Sequence, residues 1–189
     1  MNKYNILALM LSPTVIALFT IVAVLKGQRN PVDWIVAVLS IVLGPVLPVV
    51  VLAAMKKTDL NVSDQTQRTP LLVLAILSYF IGFVFFHIRE FWAMKFVALS
   101  YGVVTAGIAA VNAFYTKGSI HMAGIMGPST ILMLLGLREG ILLLLLSPLV
   151  ALIRLKVKAH DRSQIVIGGM TAVALTLLAY FVCTSPIMK

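Results

Sequence analysis

The sequence Arg-Leu-Lys-Val-Lys-Ala-His-Asp-Arg-Ser-Gln at residues 154–164 is a strongly polar stretch between two apolar runs. Each run has the composition and length of a helix that lies in a membrane. The stretch between them has an arginine and a histidine six positions apart, Arg154 and His160, with Lys156, Lys158 and Arg162 around them. Because four cations gather here in an otherwise apolar chain, this is where an anion would bind.

The composition of the whole chain indicates a membrane protein. Of its 189 residues, 61% are apolar and 11% charged, with a mean hydropathy of +1.06, and a water-soluble domain could not cover that much apolar surface. The net charge of +9 would suggest nucleic acid in a soluble protein. Here the cations lie between apolar runs, so anionic lipid headgroups or a phosphate-bearing substrate are the expected partners, and nucleic acid is not.

The hydropathy pattern predicts an all-α, polytopic transmembrane bundle of about six to seven segments, forming one domain over residues 1–189. The first predicted segment does not fit a secretory signal, because its apolar run is long for a signal and another candidate membrane span follows it. Residues 44–48 contain two prolines that would kink the second segment. The fifth and sixth predicted segments are short for full membrane spans, so they are expected to be either two tilted helices or a re-entrant pair. The predicted segments cover residues 5–25, 32–55, 71–86, 91–115, 122–137, 140–153 and 165–182.

Three polar loops, at residues 56–70, 117–121 and 154–164, are each separated from the next by two segments. An even number of crossings returns the chain to the same side, so all three loops are expected on one face. Lys and Arg are more numerous on this face, which by the positive-inside tendency would be cytoplasmic. A phosphate site would also require cations there, so the expectation is a multi-pass protein, of the cell membrane, with its orientation left open.

Two histidines and two arginines on the predicted loop face point to phosphoryl chemistry. His121 and His160 are two of only three histidines in the chain. Imidazole suits nucleophilic attack on phosphorus and proton transfer near neutral pH. Arg68 and Arg154 carry guanidinium groups, which match the oxygens of a phosphoryl group in a bidentate manner. Together these residues predict a phosphoryl-transfer site that works without a metal or another cofactor.

Two other interpretations of these residues remain open. The two histidines could bind a metal together with Asp59, Asp64 or Asp161, although the surrounding cations would oppose a divalent ion. Alternatively, the polar side chains could be juxtamembrane groups without chemistry, with the long cations reaching from the helix ends to water.

The order of these residues resembles the type 2 phosphatidic acid phosphatase superfamily, membrane lipid phosphatases related in fold to the vanadium haloperoxidases. The family signature is Lys-x6-Arg-Pro, then Pro-Ser-Gly-His, then Ser-Arg-x5-His-x3-Asp. The corresponding segments here are Asp-Gln-Thr-Gln-Arg-Thr-Pro at residues 64–70, Gly-Ser-Ile-His at residues 118–121, and Ile-Arg at residues 153–154 followed by His160 and Gln164. The resemblance covers residues 56–169.

The resemblance implies a role for each matching residue. His160 would be the nucleophile that forms a phosphohistidine, and His121 the acid that protonates the leaving oxygen. Arg68, Arg154 and the hydroxyl of Ser119 would hold the phosphoryl oxygens. Water would then release phosphate from the intermediate.

The chain also departs from the signature. Asn61 stands where the family lysine is expected, so Lys56 or Lys57 would have to replace it, and Thr69, Ile120 and Ile153 replace motif residues. The largest departure is Gln164 in place of the aspartate that orients the nucleophile. A glutamine carbonyl can accept the Nδ1–H of His160 but cannot stabilise a positive ring, a role that Asp64 or Asp161 could take. We expect Gln164 to orient His160.

The predicted function is therefore hydrolysis of a lipid phosphate or diphosphate at the membrane surface. Phosphatidic acid, phosphatidylglycerol phosphate and polyprenyl phosphates or diphosphates are the substrates that the resemblance implies. One rival is a catalytically weak or inactive family member that binds or transports anionic lipid. Another is a small secondary transporter, but the internal repeat expected of one is absent from the sequence.

Overall fold

The computed structural model describes residues 3–58, Val62 and residues 65–186, and all regular structure within them is helical. Five segments are long and apolar enough to cross a membrane, which confirms the all-α membrane bundle. In chain order the elements are α1 (Lys3–Met10), α2 (Pro13–Leu25), α3 (Pro31–Ala37), a π-helical segment (Val38–Leu43), α4 (Gly44–Ala54), α5 (Gln65–Ile88), α6 (Trp92–Phe114), α7 (Ile120–Leu134), α8 (Glu139–Lys156) and α9 (Arg162–Thr184).

The first predicted segment is interrupted, because α1 ends at Met10 and α2 begins at Pro13. Proline has no N–H and disfavours helical geometry in the residue before it, so it favours a new start. Ser12 caps that start, its hydroxyl accepting from the N–H of Val15 at 3.4 Å. Hydropathy missed this break because Ser12 and Pro13 lie inside a continuous apolar run.

The prolines predicted to kink the second segment follow a π-helical segment, and the neighbouring helix satisfies a carbonyl of that segment. Pro45 has no N–H to donate, and the Oγ of Ser78 on α5 donates to the carbonyl of Ser40 at 2.8 Å. The approach is very close: a Cβ at Gly82 would lie 2.5 Å from the Oγ of Ser40, and one at Gly44 would overlap the Oγ of Ser78. The π-helical segment therefore crosses α5 almost backbone to backbone.

Helix α7 is central to the bundle, since it packs against α2, α6, α8 and α9. Its 15 residues span about 22 Å, which is less than a hydrocarbon core. At its end Gly136 adopts a φ of +73°, and the N–H of Leu137 donates to the carbonyl of Leu132 at 2.8 Å. This left-handed cap turns the chain sharply, so α8 packs back against α7 as a hairpin.

The turns opposite the three polar loops are held to one another by ion pairs. Lys26 pairs with Glu139, and the Nε of Arg89 lies 3.4 Å from the Oδ1 of Asp33. These contacts join the α2–α3 turn, the α5–α6 turn and the α7–α8 turn at one end of the bundle.

Several polar residues assigned to loops lie instead on helix ends. Arg68 is in the first turns of α5, His121 in the first turn of α7, Arg154 in the last turn of α8 and Gln164 in the first turn of α9. The predicted segment limits were wrong here because hydropathy marks where side chains become polar, whereas a helix continues as long as its backbone hydrogen bonds do.

Candidate active site

A cavity of about 710 Å³ lies between α1, α2, α4, α5 and α6 and extends to the end of the bundle that carries the three polar loops. Its inner walls are apolar, with Ala17, Ile41 and Ala75 among the lining side chains. Its loop end is polar and is formed by α5, α7, α8 and the loop before α9. A cavity of this size accommodates a small-molecule ligand with both a polar and an apolar part.

Four cations line the polar end of the cavity: Arg68, Lys117, Arg154 and Lys158. None of the lining residues in the described part of the chain is acidic. A concentration of one sign of charge in a cleft with apolar walls produces a strong local field. The site is therefore electrostatically suited to an anion, and guanidinium pairs are suited to phosphate in particular.

Arg68 is held in place by the loop that precedes α5. Its side chain is only 4% exposed, and its Nε donates to the carbonyl of Val62 at 2.7 Å. One N–H of the guanidinium is thereby used for orientation, which fixes the plane of the group at the wall of the cavity. The ordering of a long side chain in advance reduces the entropy cost of binding.

Arg154 is 3% exposed, and no acceptor in the described part of the chain lies within hydrogen-bonding distance of its Nε. A buried guanidinium without such a partner is unfavourable unless a ligand supplies one. The negative end of the α8 dipole favours a cation at this position. An anion in the cavity would complete the hydrogen bonding of Arg154.

His160 is fixed by a capping box at the start of α9. The Oδ1 of Asp161 accepts from the N–H of Gln164 at 2.9 Å, and the Oε1 of Gln164 accepts from the N–H of Asp161 at 3.4 Å. The same Oε1 lies 3.0 Å from the Nδ1 of His160. Since that oxygen can only accept, Nδ1 carries the proton and Nε2 carries the lone pair.

The pKa of His160 is lowered to about 4, first by burial of the ring and then by Arg154, Arg68 and Lys117, whereas the hydrogen bond to Gln164 acts in the opposite direction. The imidazole is therefore neutral at physiological pH. A neutral ring whose Nδ1–H is already engaged leaves Nε2 available as a nucleophile.

His121 lines the same cavity from the first turn of α7. Burial lowers its pKa to about 3, with further contributions from Arg154, His160 and Arg68. This ring is therefore also neutral at physiological pH. The negative charge of a bound phosphate would oppose the arginines and favour its protonated form.

The N-terminus of α7 is clamped against the start of α9. The N–H of Ser119 donates to the carbonyl of Gln164 at 3.1 Å, and a Cβ on Gly168 would lie only 2.6 Å from the Ser119 carbonyl oxygen. Only glycine allows this approach of one backbone to another. Gln164, which contacts His160, is thus held against Ser119, which begins the helix that carries His121.

No known protein family, no curated protein and no solved structure matches this chain. The superfamily resemblance therefore stays a prediction that rests on the order and spacing of the motif residues.

The structure brings together most of the residues that the sequence nominated. Arg68, His121, Arg154 and His160 line one cavity, and Gln164 contacts His160 as expected. The described contacts leave the catalytic roles of these residues untested, so the roles remain predictions.

Three nominated residues lie elsewhere or outside the described residues. Lys57 is exposed and does not line the cavity, so it does not supply the expected phosphate contact in this structure. Ser119 is fully buried and caps α7, its hydroxyl accepting from the N–H of Met122 at 3.3 Å. This hydroxyl does not line the cavity either. Asp64 lies outside the described residues.

Lys117 lines the site but was not nominated from the sequence, whereas Lys158 was placed among the anion-binding cations of residues 154–164 without a role of its own. The signal was available for Lys117, which precedes Ser119 and His121 on the same short loop. The family signature has its lysine before Arg68, which favoured Lys57 instead. Among the described residues, no group of three or more His, Cys, Asp and Glu side chains is placed to hold a metal ion.

Proposed function

We propose that this protein is an integral membrane phosphatase that hydrolyses a lipid phosphate or diphosphate through a phosphohistidine on His160. The observation that carries the proposal is the pairing of a cationic, histidine-containing pocket with an apolar cavity. A ligand that is only a phosphate would need only the cationic pocket, whereas a lipid phosphate uses both the cationic pocket and the apolar cavity.

In the first step the Nε2 of His160 attacks phosphorus, and the bond from phosphorus to the leaving oxygen breaks. His121, protonated in the presence of the bound phosphate, gives its proton to that oxygen. Arg68 and Arg154 stabilise the charge on the three phosphoryl oxygens. The products are a lipid alcohol and a cationic phosphoimidazole ring that donates from Nδ1 to Gln164.

In the second step water attacks phosphorus and passes a proton to His121. The phosphorus–nitrogen bond breaks, inorganic phosphate leaves and His160 returns to its neutral form. Gln164 keeps the correct tautomer throughout but carries no charge to offset the cationic ring. We therefore expect slower turnover than a carboxylate at this position would support.

The test is release of phosphate by the purified protein in detergent, with a chelator present, over a panel of phosphatidic acid, phosphatidylglycerol phosphate and polyprenyl phosphates and diphosphates. His160→Ala is expected to abolish release. His87→Ala is the matched control, because His87 lies at the far end of α5 and stacks on Phe83 away from the cavity.

Release that survives the chelator and is lost only in His160→Ala supports the proposal. Absence of release from the wild type over the whole panel, together with tight binding of the same lipids, would favour the rival function of a non-catalytic anionic-lipid binder. Gln164 would then be the first residue to examine.

A further inference from the structure

One face of α5 forms a continuous wall of the cavity. Arg68, Leu71, Leu72, Ala75 and Tyr79 all line it, at the three- and four-residue spacing of one helix face. Tyr79 is eleven positions after Arg68, which is about 16 Å along the helix axis. The cavity therefore runs from the cationic pocket about halfway through a hydrocarbon core.

The inner end of the cavity is closed by two tyrosines. The rings of Tyr79 on α5 and Tyr101 on α6 have centroids 5.4 Å apart, and both line the cavity. Ala17 and Ile41 line it as well and are at most 2% exposed. By contrast Leu9, at the outer wall, is 50% exposed.

Two features define what lies past the tyrosines. On one side, the close crossing of the π-helical segment with α5 at Ser40 and Gly82 leaves no room for a chain. On the other side is a second, smaller cavity of about 60 Å³, separated from the first by a wall whose residues line both cavities: Pro13, Leu72, Tyr79, Tyr101, Thr105 and Ile120. Tyr79 and Tyr101 are the bulkiest residues of this shared wall, so the tyrosine pair forms the inner part of a partition between two cavities and is not backed by solid packing.

We propose that Tyr79 and Tyr101 set the length of the lipid chain that the site accepts, so that the substrate is a lipid phosphate with one chain inside the cavity. This inference rests on the proposed function, since it takes the cationic pocket as the phosphate site. A chain that starts at Arg68 reaches the tyrosine pair after about 16 Å. A longer chain must bend or leave the cavity.

The experiment measures binding, so that it does not depend on turnover. Linear alkylphosphonates of increasing chain length, below their micelle-forming concentrations, are titrated calorimetrically into the purified protein. In the wild type each added methylene should tighten binding about fourfold, from about 0.8 kcal/mol per buried methylene, until the chain reaches the tyrosines. Affinity should then level off.

Two variants should move that limit in opposite directions. Tyr101→Ala opens the partition and should extend the rise in affinity by at least one methylene. Ala75→Leu fills the cavity one turn before Tyr79, so affinity should level off at a shorter chain length than in the wild type. Tyr180→Ala is the matched control, because Tyr180 packs on Trp92 and Phe96 and does not line the cavity.

A chain-length limit that is the same in the wild type, Tyr101→Ala and Ala75→Leu would overturn the tyrosine partition while leaving the phosphate site intact. Failure of the wild type to bind any alkylphosphonate would overturn both the partition and the proposed function. If Tyr101→Ala does not fold, the shift in Ala75→Leu decides the question alone.

Discussion

The adjacent glycines of α9 offer a test of how the two histidines are aligned. A Cβ on Gly168 would lie 2.6 Å from the carbonyl oxygen and 2.9 Å from the nitrogen of Ser119, both backbone atoms. A Cβ on Gly169 would lie 3.4 Å from the Cγ of Met122, at ordinary contact distance from a flexible side chain. The same substitution at neighbouring positions therefore has opposite consequences.

The size of the effect follows from these distances. To reach ordinary contact at 3.4 Å, the Gly168→Ala variant must move the start of α7 away from α9 by about 0.8 Å, that is 3.4 minus 2.6. Overpacking of this kind costs about 1–3 kcal/mol of stability. A displacement near 1 Å at a catalytic group costs about a hundredfold in rate. The hydrogen bond from Ser119 to Gln164 is weakened as well.

The assay compares Gly168→Ala and Gly169→Ala for thermal unfolding in detergent and for phosphate release from a lipid phosphate. Gly168→Ala should lose stability and between about tenfold and a hundredfold in rate. Gly169→Ala should unfold at the wild-type temperature or slightly above it, since alanine favours a helix by up to about 1 kcal/mol over glycine. Equal behaviour of the two variants would refute the clamp between α7 and α9.

Three further predictions concern the polar pocket. Arg154→Lys keeps the charge but loses the planar fork, and should reduce phosphate release at least about tenfold, measured as kcat/KM. Gln164→Ala should slow turnover, because the ring of His160 is then no longer held in place. Gln164→Asp should also change the turnover rate. Unchanged rates in both variants would contradict the role of Gln164 in orienting His160. Because the folded-state pKa values of His160 and His121 are below the ordinary 6.5, the unfolded chain takes up protons first as pH falls. The contribution of the two histidines to the free energy of unfolding should be fully present above pH 6.5 and should fall toward pH 4 by up to about 1.4 kcal/mol per histidine and pH unit. Thermal unfolding at pH 7.5 and at pH 5 measures this loss. An unfolding temperature that does not change with pH would contradict the buried neutral histidines.

The convergence of the site could be predicted from the sequence because it depends on crossings and not on exact helix limits. Arg68, His121 and His160 come from three separate stretches, each divided from the next by two segments, and they line one cavity. The contact of Gln164 with His160 also had a local signal. Asp161-Arg-Ser-Gln164 fits the capping-box pattern, which places the Gln164 side chain back toward the residues before the helix.

The remaining features depend on packing that hydropathy does not encode. The exposed position of Lys57 follows from the turn that ends α4, where the chain leaves the bundle. The π-helical segment becomes understandable only with Ser78, a residue 38 positions away, donating to Ser40. The tyrosine partition likewise requires two helices to bring Tyr79 and Tyr101 together. The last two features are long-range contacts, which the periodicity of a single segment does not contain.

The proposed reaction requires that His160 becomes covalently phosphorylated during turnover. The direct measurement is rapid acid-free quenching of the protein with a lipid phosphate labelled in its phosphoryl group, followed by peptide mapping of the bound label. Label is expected on the peptide that contains His160, and it should be stable to base, labile to acid and absent from His160→Ala. Phosphate release from a wild-type protein that never carries the label, or label that persists in His160→Ala, would contradict it.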